Sequence, residues 1–232
     1  MSQPTVVLVH GAFADASSFA MVIPGLLADG LRVVAPAVPN RSLVGDAEYL
    51  GAVLAAIDGP VVLVGHSYGC AVATVAGVAE NVVALIYLAG FVPEEGESLG
   101  ELQGRFPDSD LGQALEAIPF QGGVELSVDV EKFPTVFAHD VDPAVAVVLA
   151  VSQRPLSAVA FGEKAPAAAW HGRPAWGVVA AADHTINPDV QRFAYGRAGI
   201  ETVEVDSSHL VMFSQPAMVT DLIRTVVRSV TG

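Results

Sequence analysis

Cysteine is almost missing from this chain of 232 residues: Cys70 is its one thiol. That excludes a framework of internal disulfides and, with the compartment otherwise open, favours the cytoplasm. Basic residues are scarce as well. Eleven Lys and Arg stand against 25 Asp and Glu, a net charge of −14, which argues against a nucleic-acid partner or an anionic membrane surface and gives no long-range pull on anionic substrates. Solubility is the plain reading of that acidity. Charged residues of both signs reach only 16%, against 52% hydrophobic, which excludes a disordered or polar-tract chain. Long apolar runs are absent too. The longest, residues 82–92, falls far short of the roughly eighteen residues a membrane span needs. No Lys or Arg precedes Arg32, so the positive region of a signal peptide is missing. The chain is expected to start at or near Met1 and to be soluble and intracellular. No internal repeat or low-complexity tract is visible. A chain of this length makes one domain with room for an insertion, and can bury roughly 70% of its unfolded surface without metal or disulfide.

What is present is an alternation of strand and helix signals. Residues 5–10 form a β-branched run ending at Gly11, the pattern of a strand buried on both faces. A helix is expected over 17–29, stopped by Gly30, and a strand over 31–35. Past Pro36 and Pro39 a helix is expected over 46–58, with Leu50, Val53, Leu54 and Ile57 on one face. An apolar strand at 60–64, a small-residue helix at 70–79 and a strand at 82–88 follow. This rhythm predicts an α/β fold with a mostly parallel sheet of about six strands, covered by helices on both faces. The rhythm breaks over 91–170, where Pro and Gly punctuate short apolar patches. No clear strand is read there, and short helices are expected at 99–118, 143–153 and 155–161. It resumes with strands at 175–181 and 201–205 and helices at 188–198 and 215–230. The expected organisation is one structural unit: a core of 1–90 and 171–232, and a helical lid of 91–170 over the carboxyl edge of the sheet, where open parallel sheets bind ligands.

The chemistry centres on Gly65-His66-Ser67-Tyr68-Gly69. It fits G-x-S-x-G between a strand and a helix, where the serine sits on a sharp turn that tolerates only small neighbours. A bare Gly-rich turn could close such a junction without doing chemistry, but the apolar strand directly before it favours a nucleophile. A neutral serine hydroxyl needs a base. In this arrangement the acid and then the histidine follow on loops after later strands, which selects Asp183, after 175–181, and His209, after 201–205. Asp206 is the alternative acid, better read as a loop cap because it sits so near His209. His10 and His66 lie beside glycines at strand ends and are read as supporting the turns. His139 and His171 belong to the lid, and His184 is on the wrong loop. An oxyanion hole, worth on the order of 3 kcal/mol per donor, is expected from the backbone N–H groups of Tyr68 and Ala12. Phe13 and Tyr68 are the expected walls of the substrate pocket. Nothing suggests a metal site.

The segments VVLVHGAFADASSF, GPVVLVGHSYGC, YLAGFVPEEGES, SQRP, AADHTINP and SSHLVMFSQP together resemble the α/β-hydrolase superfamily. They are most similar to its small bacterial esterase-like members of the pyrethroid-hydrolase type, and more distantly to plant methyl esterases and hydroxynitrile lyases. The resemblance covers nearly the whole chain. It implies a Ser67-His209-Asp183 triad, main-chain donors at Ala12 and Tyr68, and no cofactor. Cys70 departs from the second glycine usual after the motif and is expected to be a packing adjustment. The expected activity is hydrolysis of a carboxylic ester on a small to medium apolar substrate through an acyl-enzyme, since the lid is rich in Ala, Val, Phe and Leu. Arg154, in SQRP, is read as pinning a lid turn. Two other readings are cyanohydrin cleavage, for which neither Lys132 nor Lys164 is well placed, and a non-catalytic ligand-binding module on the same fold. The expected partner is a small-molecule ester, and the oligomeric state is open, a homodimer included.

Overall fold

The computed structural model describes residues 3–231. Its main sheet is built from Thr5–Val9 (β1), Val33–Val34 (β2), Val61–His66 (β3) and Val82–Leu88 (β4), all from the first part of the chain. Between β4 and the strands that complete this sheet come Leu115–Phe120 (β5), Gly123–Val128 (β6) and Leu156–Ser157 (β7). Ala175–Ala180 (β8) and Glu201–Val205 (β9) then close the set. The order is β2-β1-β3-β4-β8-β9, with every neighbouring pair parallel. Every residue of β1 and β3 is buried, which is why both read as unbroken apolar runs rather than alternating ones. The chain steps outward from β1 to β2 and then returns past β1 to β3. The crevice that such a reversal opens lies at the carboxyl ends of β1 and β3.

Helix placement depends on residue size. Tyr68–Ala76, which follows β3, is buried along its whole length and is made of Gly, Ala, Cys, Thr and Val after its first residue. A Cβ on Gly69 would stand 2.5 Å from the carbonyl oxygen of His10 and closer still to that of Val9. This helix therefore lies directly on the end of β1. Cys70 packs over Gly90, and its Sγ is 3.6 Å from the carbonyl oxygen of Leu88. Burial pushes its thiol far above the ordinary range, so it is a small apolar filler with no thiolate character. The expected helix over 17–29 is divided. Asp15 accepts from the N–H of Ser17 and caps a 3-10 turn at Ala16–Phe19. Ile23–Ala28 then starts afresh with a proline in its first turn, a position proline favours.

The insertion between β4 and β8 holds short helices at Leu99–Gln103, Leu111–Ala114, Phe133–Phe137, Pro143–Val151 and Val159–Gly162. It also holds a second sheet, β5-β6-β7, with antiparallel pairing. The helix expected over 99–118 thus stops early, and its last residues form the first strand of a hairpin. Gly122 and Gly123, at φ +115° and +157°, make the turn, and Pro119 is tolerated because β5 is an edge strand. Ile118 and Phe120 stay exposed, so no apolar face marks β5 in the sequence. Glu97 ties the insertion to the core. The Arg197 guanidinium grips it at 2.7 and 3.1 Å, and Arg105 adds a contact at 2.8 Å.

Gly69→Ala is expected to lower Tm by roughly 6–12 °C, since the clash is with main chain and costs about 3 kcal/mol. Gly112→Ala, where a Cβ meets nothing within 4 Å, is expected to stay within about 2 °C of the parent. Thermal unfolding followed by circular dichroism compares the two.

Candidate active site

Ser67 joins β3 to the helix Tyr68–Ala76 at φ 56° and ψ −125°. A non-glycine residue there carries strain on the order of 1–3 kcal/mol. Main-chain bonds hold it: the Ser67 N–H donates to Leu88 at 3.0 Å, and its carbonyl accepts from Cys70 at 3.0 Å and Phe91 at 3.3 Å. The loop after β1 closes down on its side chain. A Cβ on Gly11 would come 2.7 Å from Ser67 Cβ and 3.2 Å from its Oγ. The N–H groups of Ala12 and Tyr68 have no acceptor among the described residues. Tyr68 opens its helix, where the first N–H groups have no intrahelical partner.

Asp183 lies just beyond β8 and His209 just beyond β9, and both side chains are fully buried. Nδ1 of His209 is 2.7 Å from Oδ2 of Asp183. A contact to a carboxylate places the proton on Nδ1 and leaves Nε2 as the free nitrogen. Asp183 takes three more hydrogen bonds: the N–H groups of Thr185 (2.7 Å) and Ile186 (3.0 Å) donate to Oδ1, and Gln191 Nε2 donates to Oδ2 at 2.8 Å. Four donors thus replace water around one buried carboxylate, as burial of a charge requires. Asp206, the alternative acid, is exposed, and its main-chain carbonyl accepts from Gln215 Nε2 at 3.4 Å. His209 Nε2 is buried with no hydrogen-bond partner. The ring stands 4.7 Å from that of His66, the residue before Ser67, and edge-on at 4.9 Å to Phe137. The structure therefore brings His209 and Asp183 into contact and sets the imidazole beside the Ser67 turn, without closing a bond from Ser67 Oγ to Nε2. Such bonds are often long or poorly aligned before substrate binds.

Three buried side chains support this arrangement. His66 donates from Nε2 to the carbonyl oxygen of His209 at 2.9 Å. Burial, then the neighbouring His209, holds its pKa well below the ordinary imidazole range, so it is a neutral donor. His10 donates from Nδ1 to the Gly11 carbonyl at 2.9 Å, and burial lowers its pKa as well. Gln191 bonds Asp183 through Nε2 and the Ala180 N–H through Oε1, at 3.1 Å. Sequence reasoning missed Gln191. Its signal was a polar side chain on the same helical stripe as the apolar Ala194 and Tyr195, both buried.

The two expected pocket walls separate. Phe13, at φ 59°, lines a cleft with Phe133, Phe137, Leu149, Ser152 and Leu210, and its ring meets Phe137 edge-on at 5.9 Å. Tyr68 does not line that cleft. Its hydroxyl donates to Asp46 Oδ2 at 2.7 Å in the interior, so the expectation of a Tyr68 side-chain wall is corrected: the helix start turns the phenol toward the Leu43–Ala55 helix. Asp46 also receives the Arg41 N–H, and its carboxyl is raised, chiefly by burial. The cleft is tight, with a cavity of about 10 Å³, room for about one water. Arg154 holds its rim: its carbonyl accepts from the Phe13 N–H at 3.0 Å, and its guanidinium donates to the Val38 carbonyl at 2.7 Å. Among the described residues no group of three or more His, Cys, Asp or Glu side chains is arranged to hold a metal ion, and no helix is long and apolar enough to cross a membrane.

Comparison with known proteins gives the same fold repeatedly. The crystal structure of polyneuridine aldehyde esterase superposes with a TM-score of 0.85 at 19% identity, covering 97% of this chain and 99% of that one. A pyrethroid hydrolase from Sphingobium faniae JZ-2 gives 0.81 at 22%, covering 97% of each chain. A methylesterase from Arabidopsis gives 0.80 at 17%, covering 96% and 98%. No curated protein matches the sequence significantly. A family model described as "Alpha/beta hydrolase family" matches residues 6–222, from the second residue of β1 into the last helix, and the chain belongs to that family.

Proposed function

We propose that this protein is a serine hydrolase that cleaves a carboxylic ester of a small to medium apolar substrate through an acyl-enzyme. The observation that carries the reading is the 2.7 Å contact between buried Asp183 and His209, at the same sheet edge as Ser67. In this reading Ser67 Oγ attacks the ester carbonyl as its proton passes to His209 Nε2, the nitrogen left free by the Asp183 contact. Asp183 keeps the proton on Nδ1 and stabilises the imidazolium. The tetrahedral oxyanion is received by the N–H groups of Ala12 and Tyr68. His209 then protonates the leaving alcohol, and the same nitrogen activates water for deacylation. The insertion, residues 91–170, acts as the lid. Its Phe133, Phe137 and Leu149 give the cleft an apolar wall, which suits an uncharged acyl or alkyl group.

Support also comes from the solved structures of similar fold, described as an aldehyde esterase, a pyrethroid hydrolase and a methylesterase. Cyanohydrin cleavage is less well served. Lys132 donates to the Gln113 carbonyl at 2.8 Å, and Lys164 pairs with Glu101 at the surface, so both ammonium groups are engaged away from His209.

Hydrolysis of p-nitrophenyl butyrate tests the reading. The parent is expected to turn over, and Ser67→Ala to lose activity by a factor on the order of 10⁴ or more. A fluorophosphonate should label the parent at Ser67 by mass spectrometry. Equal turnover in Ser67→Ala would refute the nucleophile, while tight ligand binding by an inactive parent would favour a binding module. Gln191→Leu removes one of the four donors to Asp183 and leaves the Ala180 N–H unpaired. It is expected to cost about 1–3 kcal/mol of stability and to lower kcat roughly tenfold, read by thermal unfolding and steady-state kinetics.

A further inference from the structure

Past Ala180 and Val205 the pairing of β8 with β9 gives way to loops. Two main-chain bonds, Ala181 N–H to Val205 and Ala182 N–H to Ser207, carry the strands' closeness a little further. Asp183 and His209 lie beyond, on segments with no regular pairing. Loops of this kind are mobile unless something ties them.

Two adjacent residues of the insertion supply ties to both. His139 donates from Nε2 to the carbonyl oxygen of Ala182 at 2.9 Å, the residue before Asp183. Asp140 accepts from the N–H of Ser208 at 2.9 Å, the residue before His209. Its second oxygen accepts from Ser214 Oγ at 2.6 Å, so the carboxylate grips the His209 loop on both sides. Nearby, Thr185 Oγ1 donates to the Val136 carbonyl at 2.9 Å, and the Leu210 N–H donates to that of Phe137 at 3.3 Å. Both partners of the Asp183–His209 contact are thus bracketed from one short stretch, 136–140. Because consecutive Cα atoms are 3.8 Å apart across a trans peptide, anchors on residues 139 and 140 cannot drift independently.

We propose that His139 and Asp140 form a positioning pair that spans the acid and histidine loops and sets the separation of Asp183 from His209. The inference rests on the serine-hydrolase reading for its kinetic consequence, but not for its structural one. Neither side chain reaches the proposed reacting atoms. Both act through main chain next to residues that do, where a displacement near 1 Å can cost about 100-fold in rate. Asp140 is suited to this role because both of its oxygens accept hydrogen bonds from the His209 loop. Burial would raise its carboxyl, yet the bonds from Ser208 and Ser214 and the nearby His139 hold it below the usual range. His139 itself is braced by the ring of His184 at 4.8 Å, which in turn faces Asp110 at 3.5 Å.

The test compares Asp140→Ala and His139→Ala with the conservative Asp140→Asn and His139→Gln. Three readouts are needed: p-nitrophenyl butyrate kinetics, the rate of fluorophosphonate labelling, and the far-downfield proton resonance of His209 Nδ1–H. In the alanine variants kcat and labelling rate should fall about 10- to 100-fold, with KM within about twofold and the resonance broadened or lost. The Asn and Gln variants retain an acceptor and a donor, and should recover most of both signals. Folded alanine variants with parental kcat and an unchanged resonance would overturn the proposal. So would an Asp140→Asn variant as defective as Asp140→Ala, since spacing needs hydrogen bonds rather than charge. Should the alanine variants fail to fold, the conservative pair decides, because substituting both positions must then leave the resonance in place. If the parent shows neither turnover nor labelling, the hydrolase reading fails, and the resonance still reports whether 139 and 140 hold the Asp183–His209 contact.

Discussion

Main-chain crowding around Ser67 sets the terms for the rest of the molecule. The residue occupies a strained turn between β3 and the helix Tyr68–Ala76, and four glycines let backbone come close enough to hold it there. Gly11 admits the loop after β1 onto its side chain, Gly65 and Gly69 admit the helix, and Gly90 admits the segment after β4. Each approach is closer than a Cβ would allow. The strain is therefore maintained by packing of the whole β1-β3-β4 edge together with the main-chain bonds on Ser67. The crowding also explains why the following helix is made of small side chains and why Cys70 can stand over Gly90 only as a buried, protonated thiol.

Around a turn held this tightly, buried polar groups find most of their partners in the protein itself. Asp183 shows the rule in full, with four protein donors on two oxygens. His66 and His10 apply it to the main chain, each giving one ring N–H to a carbonyl of a loop that borders the site. The far ring nitrogens are exceptions: His66 Nδ1 and His10 Nε2 are buried without a partner. His209 Nε2 is buried and unpaired, and an unmade hydrogen bond inside a protein costs about 1–3 kcal/mol. At His209 the nitrogen that bears this cost is the one the proposed mechanism uses to take up the serine proton.

The legible parts of the sequence were those where one constraint dominates. β1 and β3 are buried on both faces and read as apolar runs, and β9 was placed over 201–205, its observed bounds. The turn at Ser67 announces itself because only glycines fit beside it. Legibility fails where the constraint is relational. Tyr68 sits next to Ser67 in the chain, yet its ring points to Asp46, a partner 22 residues away that no local pattern specifies. The β5–β6 hairpin has largely exposed strands, so it lacks the alternation that marks a strand on a core. Arg154 is read from sequence as pinning a lid turn, but its partners, the Phe13 N–H on its carbonyl and the Val38 carbonyl on its guanidinium, lie in the core, a contact that only the fold supplies.

That last contact changes what the insertion does. Its ties to the core include Glu97 to Arg197, 136–140 to the loops after β8 and β9, Arg154 to the loop after β1, and the Ser157 N–H to the Asn40 carbonyl. A segment so anchored is a frame around the site as much as a cover over it. With a cavity that holds about one water, room for an ester has to come from what lies between the anchors. The longest such element is the helix Pro143–Val151, whose outward Val147, Val148 and Val151 are exposed. Its inward Ala146 and Ala150 are small, so its packing contributes little per residue, since burial is worth roughly 25 cal/mol per Å² of apolar surface. Phe137 is fixed by its main chain to Leu210, whereas Leu149 rides on this weakly held helix. Under the proposed reading, an apolar substrate would be admitted by movement of Leu149 on this helix rather than of Phe137, whose ring lies edge-on to His209 at 4.9 Å, so the contact between His209 and Asp183 would stay undisturbed.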